Sequence, residues 1–525
     1  MSAERQSDKR QTAESIAARQ REISISEFFS KNRHLLGFDN PQKALLTAVK
    51  EAVDNSLDAC EEAGILPVIQ IVIRQLAEDR FRVAVEDNGP GIVKAQIPKV
   101  FGKLLYGSKF HILKQARGQQ GIGISAAGMY GLLTTGKSVV VVSRIGSEHP
   151  AHYYEIQIDT RKNAPQIISD KVVDWTQPHG TRVEIELIGT YKRGRHSVED
   201  YVRQTAIANP HCEIFYTPPD AREPVHLARG SETLPAEPKE IKPHPYGVEL
   251  GILIRMMKET PAKHLVVALQ NDFSRVSARV AEDICKAAEL SLKANPHSIA
   301  INEAERLFKA INSVKIMSPA TNCLSPIGEE QILAGLRKEI PADFYTAVTR
   351  SPAVYRGNPF QIEVGLAYGG EMPGDELIDV LRFANRVPLQ YQQSACAITK
   401  AVLGIDWRGY GLSQSKGALP TGPLAIFIHI ASVWVPFTSE SKEAVASYPE
   451  IIKEARLAIQ ECGRKLALHI RAHRRALDEE KKKSYIEKYI PHIGIALREI
   501  LGLSAEREKE LVITLVDVLE RSRAK

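Results

Sequence analysis

The chain is poor in the features that mark several large protein classes. Its 525 residues contain six cysteines, at Cys60, Cys212, Cys285, Cys323, Cys396 and Cys462. No two stand in C-x-x-C spacing, which argues against a zinc ribbon or a disulfide framework and for reduced core thiols. The fifteen histidines form no zinc pattern. No apolar run reaches the ~18 residues that span a bilayer. The start MSAERQSDKRQ lacks a signal-peptide core, so the expectation is a cytoplasmic protein without a membrane partner. Charge of one sign is also scarce: 69 Lys+Arg against 63 Asp+Glu leave a net +6. Composition by itself therefore reveals no nucleic-acid binder, and any such role needs a local basic surface. With 43% hydrophobic and 25% charged residues, this is ordinary globular protein, long enough for three or four domains.

What is present is a set of three short polar motifs in fixed order. The helix that carries KEAVDNSLDAC has its start signal in Asn40-Pro41 and its stop in Gly64. On a helical wheel Leu46, Val49, Val53, Leu57 and Cys60 share one side, while Glu51, Asn55 and Asp58 form a polar stripe opposite. A solvated face is the plain reading. An asparagine in a helix interior has poor propensity, however, and points to another demand. A carboxylate four residues before an amide suits Mg²⁺ held by the amide oxygen and a water deprotonated by the carboxylate.

The second motif follows a predicted hairpin, VIQIVIRQL and RFRVAVED, turning at Ala77–Arg80. It ends in Asp87-Asn88-Gly89-Pro90-Gly91. Turn chemistry explains the glycines. It does not explain an acid at the end of a buried strand, where a lone charge is costly and an exocyclic amine such as that of adenine is a fitting partner. The third motif, Arg117 to Ser125 in RGQQGIGIS, leads into a predicted helix at Ile124–Tyr130. Glycine-freed amides and a helix N-terminus make a phosphate cradle. Gly121, Gly123 and Ala126 also match G-x-G-x-x-A, but HILKQARGQQ is no apolar strand, which disfavours a dinucleotide site. None of the three motifs carries a P-loop lysine.

Together these motifs resemble the ATP site of the GHKL superfamily. The stretches EFFSKNRHLLGFD, VEDNGPGI, RGQQGIGISAAGMYG, HGTRVEI, YGLSQSKGALPTGP and VPFTSESKEAVA are similar to the B-subunit family of DNA topoisomerase VI, from about residue 25 to about 460. The resemblance implies an α+β multidomain chain. A mobile N-terminus (1–24) precedes a GHKL (Bergerat) ATPase sandwich with an N-terminal strap (25–243). A helix-two-turns-helix domain (244–322), DNA-contacting or a spacer, comes next. An α/β transducer with a long helix (323–477) and C-terminal helices that dock on an A subunit (478–525) complete it. An immunoglobulin-like domain found in some relatives is expected to be missing.

It also implies roles for residues. Glu51 would be the general base, Asn55 the Mg²⁺ ligand and Asp87 the adenine acceptor, backed by Gly180-Thr181. Gly118, Gln119, Gln120, Gly121, Ile122, Gly123, Ile124 and Ser125 would form the phosphate lid, and Ser108 and Lys109 a further nucleotide-contacting pair. A transducer lysine would reach the γ-phosphate: Lys442 by its place after the strand, with Lys416 as competitor. The implied cofactors are ATP and Mg²⁺, and the implied partners an A subunit in an A2B2 heterotetramer, double-stranded DNA and, once ATP is bound, a second copy. Such an enzyme would pass one duplex through a break made by the A subunit, in a prokaryotic cytoplasm at the nucleoid. A MutL-like clamp without strand passage is the alternative. Ile25, Phe28 and Phe29 would anchor the strap on a partner, or else cover their own core. Along the long helix Ile452, Ala455, Ile459, Cys462, Leu466 and Ile470 predict an apolar seam. The basic run Arg464–Arg475 with Lys481–Lys483 is read as a solvated helix face.

Overall fold

Asn40 begins the first helix as the sequence predicts. Its side chain accepts from Lys43 N at 2.9 Å, Pro41 stands at the first helical position, and α1 runs Pro41–Glu62 to the left-handed Gly64. The computed structural model describes residues 13, 17, 23–24, 27–28, 31–107, 113–118, 121–160, 162–439 and 441–521. Most of the expected N-terminal segment 1–24, with Ile25 and Phe29 of the strap, lies outside them; Phe28 is described and exposed.

Strands β1 (Val68–Ala77) and β2 (Arg80–Asp87) form the expected hairpin, with Ala77 paired to Arg80. Helix α2 (Ile97–Gly102) and helix α3 (Gly123–Thr135) follow. Strands β3 (Val139–Arg144), β4 (Ala151–Asp159), β5 (Ala164–Val173) and β6 (Gly180–Ile188), helix α4 (Val198–Ala208), and strands β7 (Glu213–Thr217) and β8 (Val225–Leu227) complete the first unit. The sheet order is β5-β4-β3-β6-β2-β1-β7-β8, with β7 parallel to β1. Phe81, Val83 and Val85 of β2 point into a core shared with Leu45, Val49, Val53 and Leu57 of α1. This packing lays α1 beside the end of β2, where Asp87 pairs with Thr181 of β6.

A separate helical core follows a stretch that is largely irregular. Its helices are α5 (Leu250–Glu259), α6 (Leu265–Asp272), α7 (Ala278–Ala287) and α8 (Ile301–Ser313). The sequence suggests one helix over Val248–Leu269; Pro261 divides it, because the residue before a proline is pushed out of the helical region and Thr260 takes φ −60°, ψ 139°.

The last unit starts with α9 (Glu329–Glu339) and builds a second sheet from β9 (Phe344–Thr349), β10 (Ala353–Tyr355), β11 (Asn358–Tyr368), β12 (Asp379–Ala384), β13 (Val387–Pro388) and β16 (Leu424–Ser432). Helix α10 (Ala397–Leu403) and the small pair β14 (Ser413–Gln414) and β15 (Pro420–Thr421) lie between. Every residue of β16 is buried, as a central strand covered on both faces requires. One face packs on α9, the other on α10 and α11 (Pro449–Leu501). The seam of α11 starts at Ile451, fully buried, while Ile452 lies half-buried on its flank; Ala455, Ile459, Cys462, Leu466 and Ile470 are all buried.

The helix continues through residues 477 and 478 and past Pro491 without a break. The sequence suggests a separate helix over Tyr485–Leu501, within the C-terminal helices expected at 478–525; it is instead the continuation of α11. Only α12 (Ala505–Arg521) is distinct, turning back at Gly502 and tied by Arg498–Glu508 at 2.8 Å. Among the described residues no helix is long and apolar enough to cross a membrane. All six cysteines are free and buried.

The first and last units meet along α4 and α9. At Gly335 the backbone of α9 comes so close to Ile207 that a Cβ would strike the Ile207 carbonyl. Ile207 and Ala208 thereby join Ile332, Leu336, Phe383 and Phe427 in one apolar cluster.

Candidate functional site

A cavity of 680 Å³ opens between α1, the end of β2, the start of α3 and two segments of the last unit. Glu51, Asn55, Asp87, Gly118, Gly121, Ile122, Gly123, Ile124 and Thr181 line it, and so does Lys442 from the far domain. Ser125 does not: it is buried in the first turn of α3, its hydroxyl 3.4 Å from Ile122 O. Ser108, Lys109, Gln119 and Gln120 lie outside the described residues. Lys416 is exposed between β14 and β15 and does not line the cavity.

Each lining group owes its position to the packing below it. Asp87 ends a strand whose apolar residues pin it in the core, and only 6% of it is exposed. Ser56 Oγ donates to Asp87 Oδ2 at 2.8 Å, while Gly89 N and Thr181 N donate to Oδ1 at 2.9 and 3.2 Å. Burial nevertheless raises the carboxyl's pKa against those three hydrogen bonds. Asn55 is exposed to the cavity and Glu51 half-buried, with Lys50 Nζ 4.0 Å from the Glu51 carboxylate. Gly123 abuts Glu51 so closely that a Cβ there would push the carboxylate out of its place. The stripe read from the helical wheel therefore faces a cavity rather than bulk water at Glu51 and Asn55.

Further down the same helix the acids have another fate. Arg117, 6% exposed, donates to Asp58 Oδ1 at 2.9 Å, to both Glu61 oxygens at 2.6 and 2.7 Å and to Asn209 Oδ1 at 2.6 Å. His211 Nε2 lies 2.7 Å from Glu61. Burial alone would raise the Glu61 carboxyl's pKa, but Arg117 and His211 hold it well below the usual carboxylate range. This network fixes the base of the glycine loop. Sequence reasoning missed it, since nothing in RGQQGIG says where its arginine points.

The far domain contributes other residues beside Lys442. Lys442 takes φ 53° and its Nζ donates to Arg117 O at 3.1 Å. Burial lowers its pKa, opposed by Glu51, Asp54 and Asp58. Gln390, Tyr391 and Glu443 also line the cavity, as does Lys43 of α1. None of these four was singled out in the sequence; only the N-cap at Asn40 hinted at the helix turn that carries Lys43. Asp54, buried behind Glu51, accepts from Tyr201 Oη at 3.1 Å, and burial raises its pKa to about 6.

One sequence pattern is misleading. Gly131 to Ser138 spells G-L-L-T-T-G-K-S, a formal P-loop string. It runs from the end of α3 into β3, helix before strand, the reverse of the strand–loop–helix that cradles phosphate, and it is absent from the cavity lining.

The donor chemistry suits a hard cation carried by a phosphate ligand. The cavity offers an amide oxygen and carboxylates, and among the described residues no group of three or more His, Cys, Asp or Glu could hold a metal unaided.

Two family models match the chain, one on each side of the cavity. Residues 40–188 match the histidine kinase-, DNA gyrase B- and HSP90-like ATPase family, and residues 319–483 the topoisomerase VI B subunit transducer. The chain is 51% identical over 490 residues to the B subunit of type 2 DNA topoisomerase 6 from Methanococcoides burtonii, covering 93% of this chain and 79% of that one. To the protein of the same name from Archaeoglobus fulgidus it is 48% identical over 487 residues, covering 93% and 80%. To that of Pyrococcus horikoshii it is 39% identical over 544 residues, covering 94% of each. A cavity built from two domains, family models on both sides of it and relatives of this likeness lead to one conclusion: the chain belongs to the family of type 2 DNA topoisomerase 6 B subunits.

Proposed function

We propose that this chain closes as a dimer on ATP and Mg²⁺ and thereby gates one DNA duplex through a break made by an A subunit, in an A2B2 heterotetramer at the nucleoid of the cytoplasm. As a member of its family it is the ATPase subunit of a type II DNA topoisomerase. The observation that carries the reading is the composite cavity: Glu51, Asn55 and Asp87 come from the ATPase region and Lys442 from the transducer region. A ligand reaching both would bind most tightly with the two domains held together.

Asp87 accepts the adenine amino group, and Thr181 backs it. The glycine loop from Gly118 to Ile124 and the N-terminus of α3 receive the phosphates through backbone amides. Asn55 holds the Mg²⁺, which when bound offsets phosphate charge. Glu51 takes a proton from the attacking water, whose oxygen forms a new bond to the γ-phosphorus as the bond to the bridging oxygen breaks and ADP leaves. Lys442 donates to the γ-phosphate oxygens as charge develops, giving up its bond to the Arg117 carbonyl. Its partial desolvation makes that exchange favourable.

Sizing the full chain tests the gate. It should be monomeric alone and with ADP, and dimeric with a non-hydrolysable ATP analogue and Mg²⁺; a chain that stays monomeric with the analogue removes the proposal. Relaxation of supercoiled DNA with an A subunit separates this reading from a clamp that never passes strands.

A further inference from the structure

The segment carrying Lys442 is held in an unusual way. Lys442 sits in the left-handed region, which a side-chain-bearing residue adopts only where its surroundings impose it. Its own segment supplies local bonds, Lys442 N to Ser439 O at 3.1 Å and Thr438 N to Ala444 O at 2.9 Å. These shape the turn but do not fix it against the nucleotide helix.

The neighbouring residue does. Glu443 forms an ion pair with Lys43, in the first turn of α1, and the two side chains are 7% and 12% exposed. Lys43 Nζ also lies 2.9 Å from Asp39 and 5.3 Å from the ring centre of Tyr391. Burial would lower the ammonium's pKa, yet Glu443 and Asp39 keep it raised, so Lys43 holds its charge. An ion pair this enclosed is costly to break from one side, because the remaining charge stays buried without its partner. It also stands on the helix that carries Glu51, two turns upstream, so it ties the general-base helix and the lysine segment into one unit.

We propose that the Lys43–Glu443 ion pair is a latch that positions Lys442 at the γ-phosphate. Lys43 and Glu443 are positioning residues that act through Lys442, so the inference rests on the assignment of Lys442 made above. A pair that merely stabilised the domain seam would weaken ADP and ATP binding alike. A latch acts on hydrolysis, since only ATP presents a γ-phosphate.

The test uses the full chain with its A subunit. Glu443→Gln and Lys43→Gln should each lower kcat by ~10–100-fold while ADP affinity stays within ~3-fold of wild type. Glu443→Gln should cost nothing further in a Lys442→Ala background. Glu443→Asp, which keeps the charge on a shorter arm, should fall between wild type and Glu443→Gln and guards against misfolding of the amide variant. Normal turnover in Glu443→Gln beside an inactive Lys442→Ala overturns the latch alone. Loss of ADP affinity in step with kcat, or additive losses in the double variant, also overturn it. Normal turnover in Lys442→Ala overturns the γ-phosphate assignment and the latch with it.

Discussion

Glu51 and Asp58 stand two turns apart on one face of α1, yet the protein treats them in opposite ways. Glu51 lines the cavity with Lys50 at 4.0 Å and Lys442 of the far domain acting on it through space, and no guanidinium is packed against it. Asp58 is enclosed by Arg117, which also claims Glu61. The upstream half of the stripe is open to a ligand, and the downstream half is already neutralised by the chain itself. A carboxylate is available for proton transfer where no guanidinium has been packed against it, and helical position alone does not reveal which case applies.

The sharpest way to test that contrast is to remove Glu51. Glu51→Ala should bind ATP and lose about 10²–10⁴-fold in hydrolysis, the usual cost of a missing general base. Turnover within threefold of wild type would move the base elsewhere. Stability should change less than on removing Arg117, because Glu51 makes no close ion pair within the chain.

Arg117→Met probes the other half and should do the reverse. It leaves Asp58 and Glu61 buried beside His211, and breaking a buried charge cluster from one side costs about 3–5 kcal/mol. Urea unfolding followed by circular dichroism would measure it. A loss under about 1 kcal/mol would mean that water replaces the guanidinium and that the two halves differ less than the geometry suggests.

Asp54 lies between the halves and gives the smallest effect. Its folded pKa, raised to about 6 by burial, exceeds the ordinary carboxylate value. The folded state therefore keeps a proton that the unfolded chain has lost, and stability falls as pH rises from about 4 to about 6. Asp54→Asn, which can still accept from Tyr201, should remove this dependence. It should be more stable than wild type by up to about 3 kcal/mol above pH 6.5 and no more stable below pH 4. Parallel pH–stability curves for the two proteins would show that Asp54 stays ionised in the fold.

The motifs were legible because each depends on local chemistry. Asn40-Pro41 starts a helix whatever surrounds it, the Phe81, Val83 and Val85 alternation makes a half-buried strand, and Gly121 tolerates its φ of 57° in any context. The seam of α11 was legible to within one residue, Ile451 in place of Ile452, since periodicity gives the face but not its edge. The break at Pro261 was missed because apolar residues continue on both sides of it. The continuity of α11 past residue 478 was missed because the apolar seam stops at Ile470 and the exposed basic stretch beyond it offers no face to follow.

The amino-acid order by itself determined the elements, the polar stripe, the acid at the strand end and the glycine loop, because propensity, capping and turn chemistry act over a few residues. Only the tertiary structure decided which polar groups meet. Arg117 and Asp58 are bonded across 59 positions and Lys442 and Arg117 across 325. Such partners are selected when apolar faces such as the α4–α9 contact bring distant segments together. Packing is nonlocal, so the choice between an open acid at Glu51 and a closed one at Asp58 could be made only once the chain had folded.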